Sequence, residues 1–93
     1  MTENELKTAI KRLARLNGWA IHDDGQERTM HRSGDNGYPD LTLARDGEVV
    51  WIETKDEIGA LSPAQLRWRL ALPAFHLIRP SDFERGRVNE LLA

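Results

Sequence analysis

Cysteine is absent from all 93 residues. That removes disulfide frameworks, zinc fingers, iron–sulfur clusters and thiol nucleophiles together, and it fits a reducing cytoplasm. The three histidines, His22, His31 and His76, are too scattered to form a zinc site. No apolar run approaches the roughly 18 residues that a bilayer span needs. The opening Met1-Thr2-Glu3-Asn4-Glu5 carries acids where a secretory signal would carry bases. A cytoplasmic protein with no membrane partner is expected. Apolar residues at 40% and charged residues at 30% suit one globular domain, residues 1–93. A chain of this length buries only about 60–65% of its unfolded surface, so its core is small.

Net charge is −2, a weak recommendation for a nucleic-acid binder, but its distribution is uneven. Residues 1–22 carry net +2, residues 23–57 net −6, and residues 58–93 net +2. An acidic centre between basic flanks has the charge layout of a metal-binding core between phosphate-facing ends. Small soluble domains also show such layouts without any such function.

Thr2 to Asn17 has the spacing of an amphipathic helix, with Leu6, Ile10, Leu13 and Ala14 on one stripe. Thr2-x-x-Glu5 forms a capping box and Gly18 a stop. Trp19 to His22 is predicted as a short strand, and Asp23 to Tyr38 as a long polar loop. Pro39–Arg45 and Glu48–Lys55 flank Asp46-Gly47, the dipeptide of a two-residue type I′ hairpin. Ser62, Pro63 and Gln65 make a second capping box, opening a helix that Pro73 stops. Phe75–Ile78 is predicted as the fourth strand, and Ser81-x-x-Glu84 as the cap of one last helix reaching Leu92. The order is α-β-β-β-α-β-α.

A two-residue turn pairs Arg45 with Glu48 and therefore sets Asp40 opposite Glu53. Leu41, Leu43, Val50 and Ile52 then share one apolar face. Asp40, Thr42, Trp51, Glu53 and Lys55 share the other. Like charges directly across a sheet are destabilising, so a cation between Asp40 and Glu53 is expected, and a hard divalent metal fits oxygen ligands. Lys55 on the same face could hold an attacking water or neutralise phosphate charge. The alternative is an ordinary solvated pair, Glu53 with Lys55, on an outer sheet face.

Gly37-Tyr38-Pro39-Asp40, then Glu53-Thr54-Lys55, then Leu61-Ser62-Pro63-Ala64-Gln65 with Trp68, resembles the VRR-NUC family of the PD-(D/E)XK nucleases. Glu5-Leu6, Gly18-Trp19 and Arg79-Pro80-Ser81-Asp82 extend the likeness over nearly the whole chain. The resemblance implies an α/β (α+β) protein with a restriction-endonuclease-like αβββαβ core, a mixed sheet flanked by helices. It also implies a Mg²⁺- or Mn²⁺-dependent phosphodiesterase acting on branched or duplex DNA, with Holliday junctions as a substrate and a homodimer as the active species. By motif, Asp40 and Glu53 resemble the metal-binding acids and Thr54 lends a backbone carbonyl. Lys55 resembles the catalytic lysine, Gln65 the helix glutamine, and Glu5 the first-helix acid, with Glu3 as its substitute. Thr54 departs from the apolar residue common between Glu and Lys. Glu5 and Gln65 each have a second explanation as capping-box residues. A flap or end nuclease, a nuclease subunit of a larger assembly, and a non-catalytic DNA-binding module are the competing functions. Phosphate contacts are expected from Lys11, Arg12 and Arg15, from Arg28, His31 and Arg32, and from Arg67 and Arg69.

Overall fold

The computed structural model describes residues 1–27 and 37–93. It contains a mixed four-stranded sheet flanked by helices, with the strands side by side in chain order. The elements are α1 (Glu3–Leu16), β1 (Ala20–Asp23), α2 (Asp24–Glu27), β2 (Leu41–Arg45), β3 (Glu48–Thr54), α3 (Pro63–Ala71), β4 (Phe75–Ile78), α4 (Pro80–Glu84) and α5 (Arg87–Leu92). β1, β2 and β3 form an antiparallel meander, and β4 returns through α3 to lie parallel to β3. A parallel neighbour requires such a crossover, and a helix is the usual means.

α1 begins where its capping box sets it. Thr2 Oγ1 accepts from Glu5 N at 3.1 Å, and Glu5 Oε1 accepts from Thr2 N at 2.7 Å. Its buried stripe, Leu6, Ile10 and Ala14, packs on the sheet face carrying Leu41, Leu43, Val50, Ile52 and Ile78. Val88 and Leu92 of α5 complete this core. Fully burying an aliphatic side chain contributes about 1.5–3 kcal/mol, so these few residues carry much of the stability of so short a chain.

The hairpin has the expected register. Leu41 pairs with Ile52, Leu43 with Val50 and Arg45 with Glu48. Asp46 (φ 52°) and Gly47 (φ 81°) both occupy the left-handed region, as a type I′ turn demands.

Three expectations are corrected. The polar stretch after His22 does not start as loop: β1 extends to Asp23, and Asp24–Glu27 form the short helix α2. β2 starts at Leu41 rather than Pro39. The last helix is two, because Gly86 (φ 82°) breaks the chain between α4 and α5. Its cap is also two residues earlier, at Arg79 rather than Ser81: Arg79 N donates to Asp82 Oδ2 at 2.8 Å. Ser81 instead donates its N–H and hydroxyl to the Glu57 carboxylate.

On the second sheet face, α3 is held through its N-terminal turn. Ser62 Oγ accepts from Gln65 N, and Gln65 Oε1 accepts from Ser62 N. The Trp68 ring meets Tyr38 edge-on at 5.0 Å. Tyr38 in turn accepts a hydrogen bond from Trp51 Nε1 and lies 2.9 Å from Thr42 Oγ1. Gly37 explains itself here. A Cβ on it would come within 2.3 Å of the Ala64 backbone, so only glycine lets the chain pass this close to α3.

Candidate functional site

Asp40 and Glu53 directly follow the Leu41–Ile52 pair at the open end of the β2–β3 hairpin. Both are buried, Asp40 at 8% exposure and Glu53 at 3%. Buried carboxylates are costly unless paired or hydrogen-bonded, so their partners decide what the site can do.

Asp40 is partnered by Thr54. Its Oδ2 accepts from Thr54 N at 2.9 Å and from Thr54 Oγ1 at 2.8 Å. Trp51 N and Lys55 N donate toward β4, to Ala74 and Ile78. By the alternation of a strand, Thr54 N therefore points toward β2. β2 has ended there, and the Asp40 carboxylate serves as the acceptor. Asp40 thus turns along the sheet toward Thr54 rather than standing out on the face of Trp51.

Glu53 points to the face covered by α3. Gln65 Nε2 donates to Glu53 Oε2 at 3.1 Å, and Lys55 Nζ lies 3.9 Å from the same oxygen. Gln65 makes two contacts at once: its amide oxygen caps α3 while its amide nitrogen donates to Glu53. Lys55 is partly buried, with a side-chain exposure of 20%. Glu53, Lys55 and Gln65 therefore form one cluster, and Asp40 with Thr54 forms its neighbour.

The first-helix acids separate. Glu5 is exposed, its carboxylate is engaged by Thr2, and hydrogen bonding from the Thr2 backbone and hydroxyl holds it below the ordinary carboxylate range. The geometry does not bring it to Asp40. Glu3 Oε1 instead lies 3.4 Å from Thr54 Oγ1. Helix phase explains the difference: Glu3 stands three residues before Leu6, on the buried stripe, whereas Glu5 precedes it by one. That spacing was available as a signal.

The expected phosphate contacts divide as well. Lys11 is engaged by Asp23 at 2.8 Å, while Arg12, Arg15, Arg67 and Arg69 are exposed. His22 is exposed and 3.8 Å from Asp24. Arg28, His31 and Arg32 lie outside the described residues. Lys7, which sequence patterning did not single out, also meets Asp23, at 3.0 Å.

Among the described residues no three His, Asp or Glu side chains converge as a metal cage. Two carboxylates with backbone and solvent oxygens remain. That donor set suits Mg²⁺, which keeps several waters and is usually held through one or two carboxylates plus substrate phosphates. It does not suit a many-ligand calcium site. Among the described residues no helix is long and apolar enough to cross a membrane. No family model, curated protein or solved structure matches the chain.

Proposed function

We propose that the chain is a Mg²⁺- or Mn²⁺-dependent DNA endonuclease of the PD-(D/E)XK kind, resembling the VRR-NUC family. The observation that carries this reading is the pair of buried acids, Asp40 and Glu53, at one end of adjacent strands, with Lys55 3.9 Å from Glu53. The element order from α1 to β4, apart from the four-residue α2 between β1 and β2, supports a restriction-endonuclease-like αβββαβ core.

Asp40, Glu53 and the Thr54 carbonyl would hold the metal, which when bound polarises a phosphodiester and lowers the pKa of a coordinated water. The protein's own groups do the remaining work. Thr54 fixes the Asp40 carboxylate with two hydrogen bonds, and Gln65 fixes that of Glu53, so both are oriented before substrate arrives. Lys55 supplies a fixed cation where charge develops on the phosphate oxygens. Trp51, Tyr38 and Trp68 wall the α3 side and limit water there. Glu3 takes the first-helix position in this scheme, acting through Thr54.

The same proposal makes branched DNA the substrate and a homodimer the active form. Leu66 and Leu70, one turn apart on α3, and Ile58 before it are exposed apolar residues that a second copy would cover. A symmetric dimer would set two sites against opposite strands. Incubation with junction, flap, duplex and single-stranded DNA, in Mg²⁺ or Mn²⁺ and in EDTA, tests the reading. Paired, metal-dependent nicks in the junction are expected. Cleavage of flaps alone would favour the end-nuclease alternative, and no cleavage of any substrate in either metal would refute the proposal.

A further inference from the structure

At the end of β1, on the core side of the sheet, lies a charge cluster that the proposed chemistry leaves unused. Asp23 Oδ1 is 3.0 Å from Lys7 Nζ and Oδ2 is 2.8 Å from Lys11 Nζ. Gly25 N also donates to Oδ1, at 2.9 Å. Asp23 has only 6% of its side chain exposed. Burial pushes its pKa up, but the hydrogen bonds from Lys11 and Lys7 outweigh that and hold it below the ordinary carboxylate value. Asp23 is therefore ionised at neutral pH, and two ammonium groups against one carboxylate leave a net +1.

Each ammonium has three N–H donors. Among the described residues Asp23 is the only ion-pair or hydrogen-bond partner of either lysine. Lys7, Lys11 and Asp23, with Asn4, Thr8 and Gly25, line a pocket of about 250 Å³. Asn4 and Thr8 add an amide and a hydroxyl donor, and among the described residues no second acid lines the pocket. Gly25 lies close against the end of Lys7, since a Cβ there would lie 2.5 Å from Lys7 Nζ. A cationic, donor-lined pocket with its lysines held in place by a buried acid suits a compact oxyanion.

Its position identifies the oxyanion. Asp23 pairs with Leu41, and Asp24 N donates to Asp40 O at 2.9 Å, so the pocket adjoins the Asp40 end of the candidate site. We propose that this pocket is a subsite for a backbone phosphate of the nucleic acid, flanking the phosphate that is cut. This rests on the nuclease reading, and its role is to fix register rather than to read sequence. Asp23 is a positioning residue that holds both lysines toward the phosphate.

Binding measured by fluorescence anisotropy on duplex DNA in EDTA, across a salt series, tests it without cleavage. Lys7→Gln and Lys11→Gln should each weaken binding equally on unrelated sequences and lower the log–log salt slope by about 0.9. The single variants strand part of the charge on Asp23. The triple variant Lys7→Gln/Lys11→Gln/Asp23→Asn removes the cluster whole, without leaving a buried unpaired acid, and should lose about 0.9 of slope, the share of one phosphate. Titration of wild type with inorganic phosphate should shift the amide resonances of Thr8 and Gly25, and the triple variant should show no such shift. Wild-type affinity and slope in the folded triple variant, or phosphate shifts located elsewhere, would overturn the subsite. Duplex and phosphate binding that depend on Lys7 and Lys11, in a protein that never cleaves DNA, would support the subsite while overturning the nuclease reading.

Discussion

Replacing Asp40 separates the structural demand on that carboxylate from its proposed chemistry. In Asp40→Ala, Thr54 loses the acceptor for its N–H, and its hydroxyl keeps only Glu3 Oε1, at 3.4 Å. Thr54 is 1% exposed, so water does not take over either bond without opening the end of the hairpin. A buried donor left unsatisfied costs about 1–3 kcal/mol and a weakened hydrogen bond about 0.5–1.5 kcal/mol, so the two together amount to roughly 1.5–4.5 kcal/mol. Set against a total stability of roughly 5–15 kcal/mol, that is a large loss. In a domain of this size it should lower the melting temperature by roughly 10 °C or more. Asp40→Asn keeps an acceptor oxygen and should lose much less. Thr54→Val completes a double-mutant cycle, in which the two positions should couple. Urea denaturation followed by circular dichroism measures all three variants. An Asp40→Ala variant within about 0.5 kcal/mol of wild type would mean that the Asp40–Thr54 bonds do not stabilise the fold, because surface changes fall in that range.

Gly37→Ala should cost about 1–3 kcal/mol, since the new Cβ meets backbone atoms of Ala64 and Gln65 that do not move independently of α3; equilibrium unfolding checks this. The His76 imidazole is held below its ordinary pKa by burial first and by the Arg87 guanidinium second. Its neutral form is therefore favoured on folding, so its contribution is full above the unfolded value of 6.5 and is lost as pH falls through the lower folded value. His76→Gln should flatten that part of the stability–pH curve, measured as melting temperature between neutral and mildly acidic pH. Mg²⁺ should stabilise wild type by about 2.7 kcal/mol at about 100 times its Kd, and Glu53→Gln should lose this shift; scanning fluorimetry reads both.

The parts of the fold governed by local chemistry were legible in the sequence. Thr2 and Glu5, Ser62 and Gln65, and Asp46-Gly47 each satisfy their own neighbours, so the starts of α1 and α3 and the register of β2 on β3 fall where the residue types put them. The cluster of Glu53, Lys55 and Gln65 follows from that register plus the helix start. What was not legible depends on where strands end and on contacts distant in sequence. Asp40 turns to Thr54 because β2 begins only at Leu41, which alternation alone does not announce. Glu3 reaches Thr54 across 51 positions, and the lysines of α1 reach Asp23 only once β1 is docked. The helical periodicity from Ser81 to Leu92 conceals a break that Gly86 permits through its positive φ.

If the buried Glu53 belongs to a metal-dependent phosphodiesterase site, as proposed, cleavage depends on its carboxylate. Single-turnover cleavage of a labelled four-way junction in Mg²⁺, comparing wild type with Glu53→Gln, tests it most directly. Glutamine keeps the shape and an oxygen for the Gln65 amide, so the variant should remain folded. Metal-dependent nicking by wild type and its loss in folded Glu53→Gln are expected. Cleavage by Glu53→Gln at the wild-type rate would contradict the proposal.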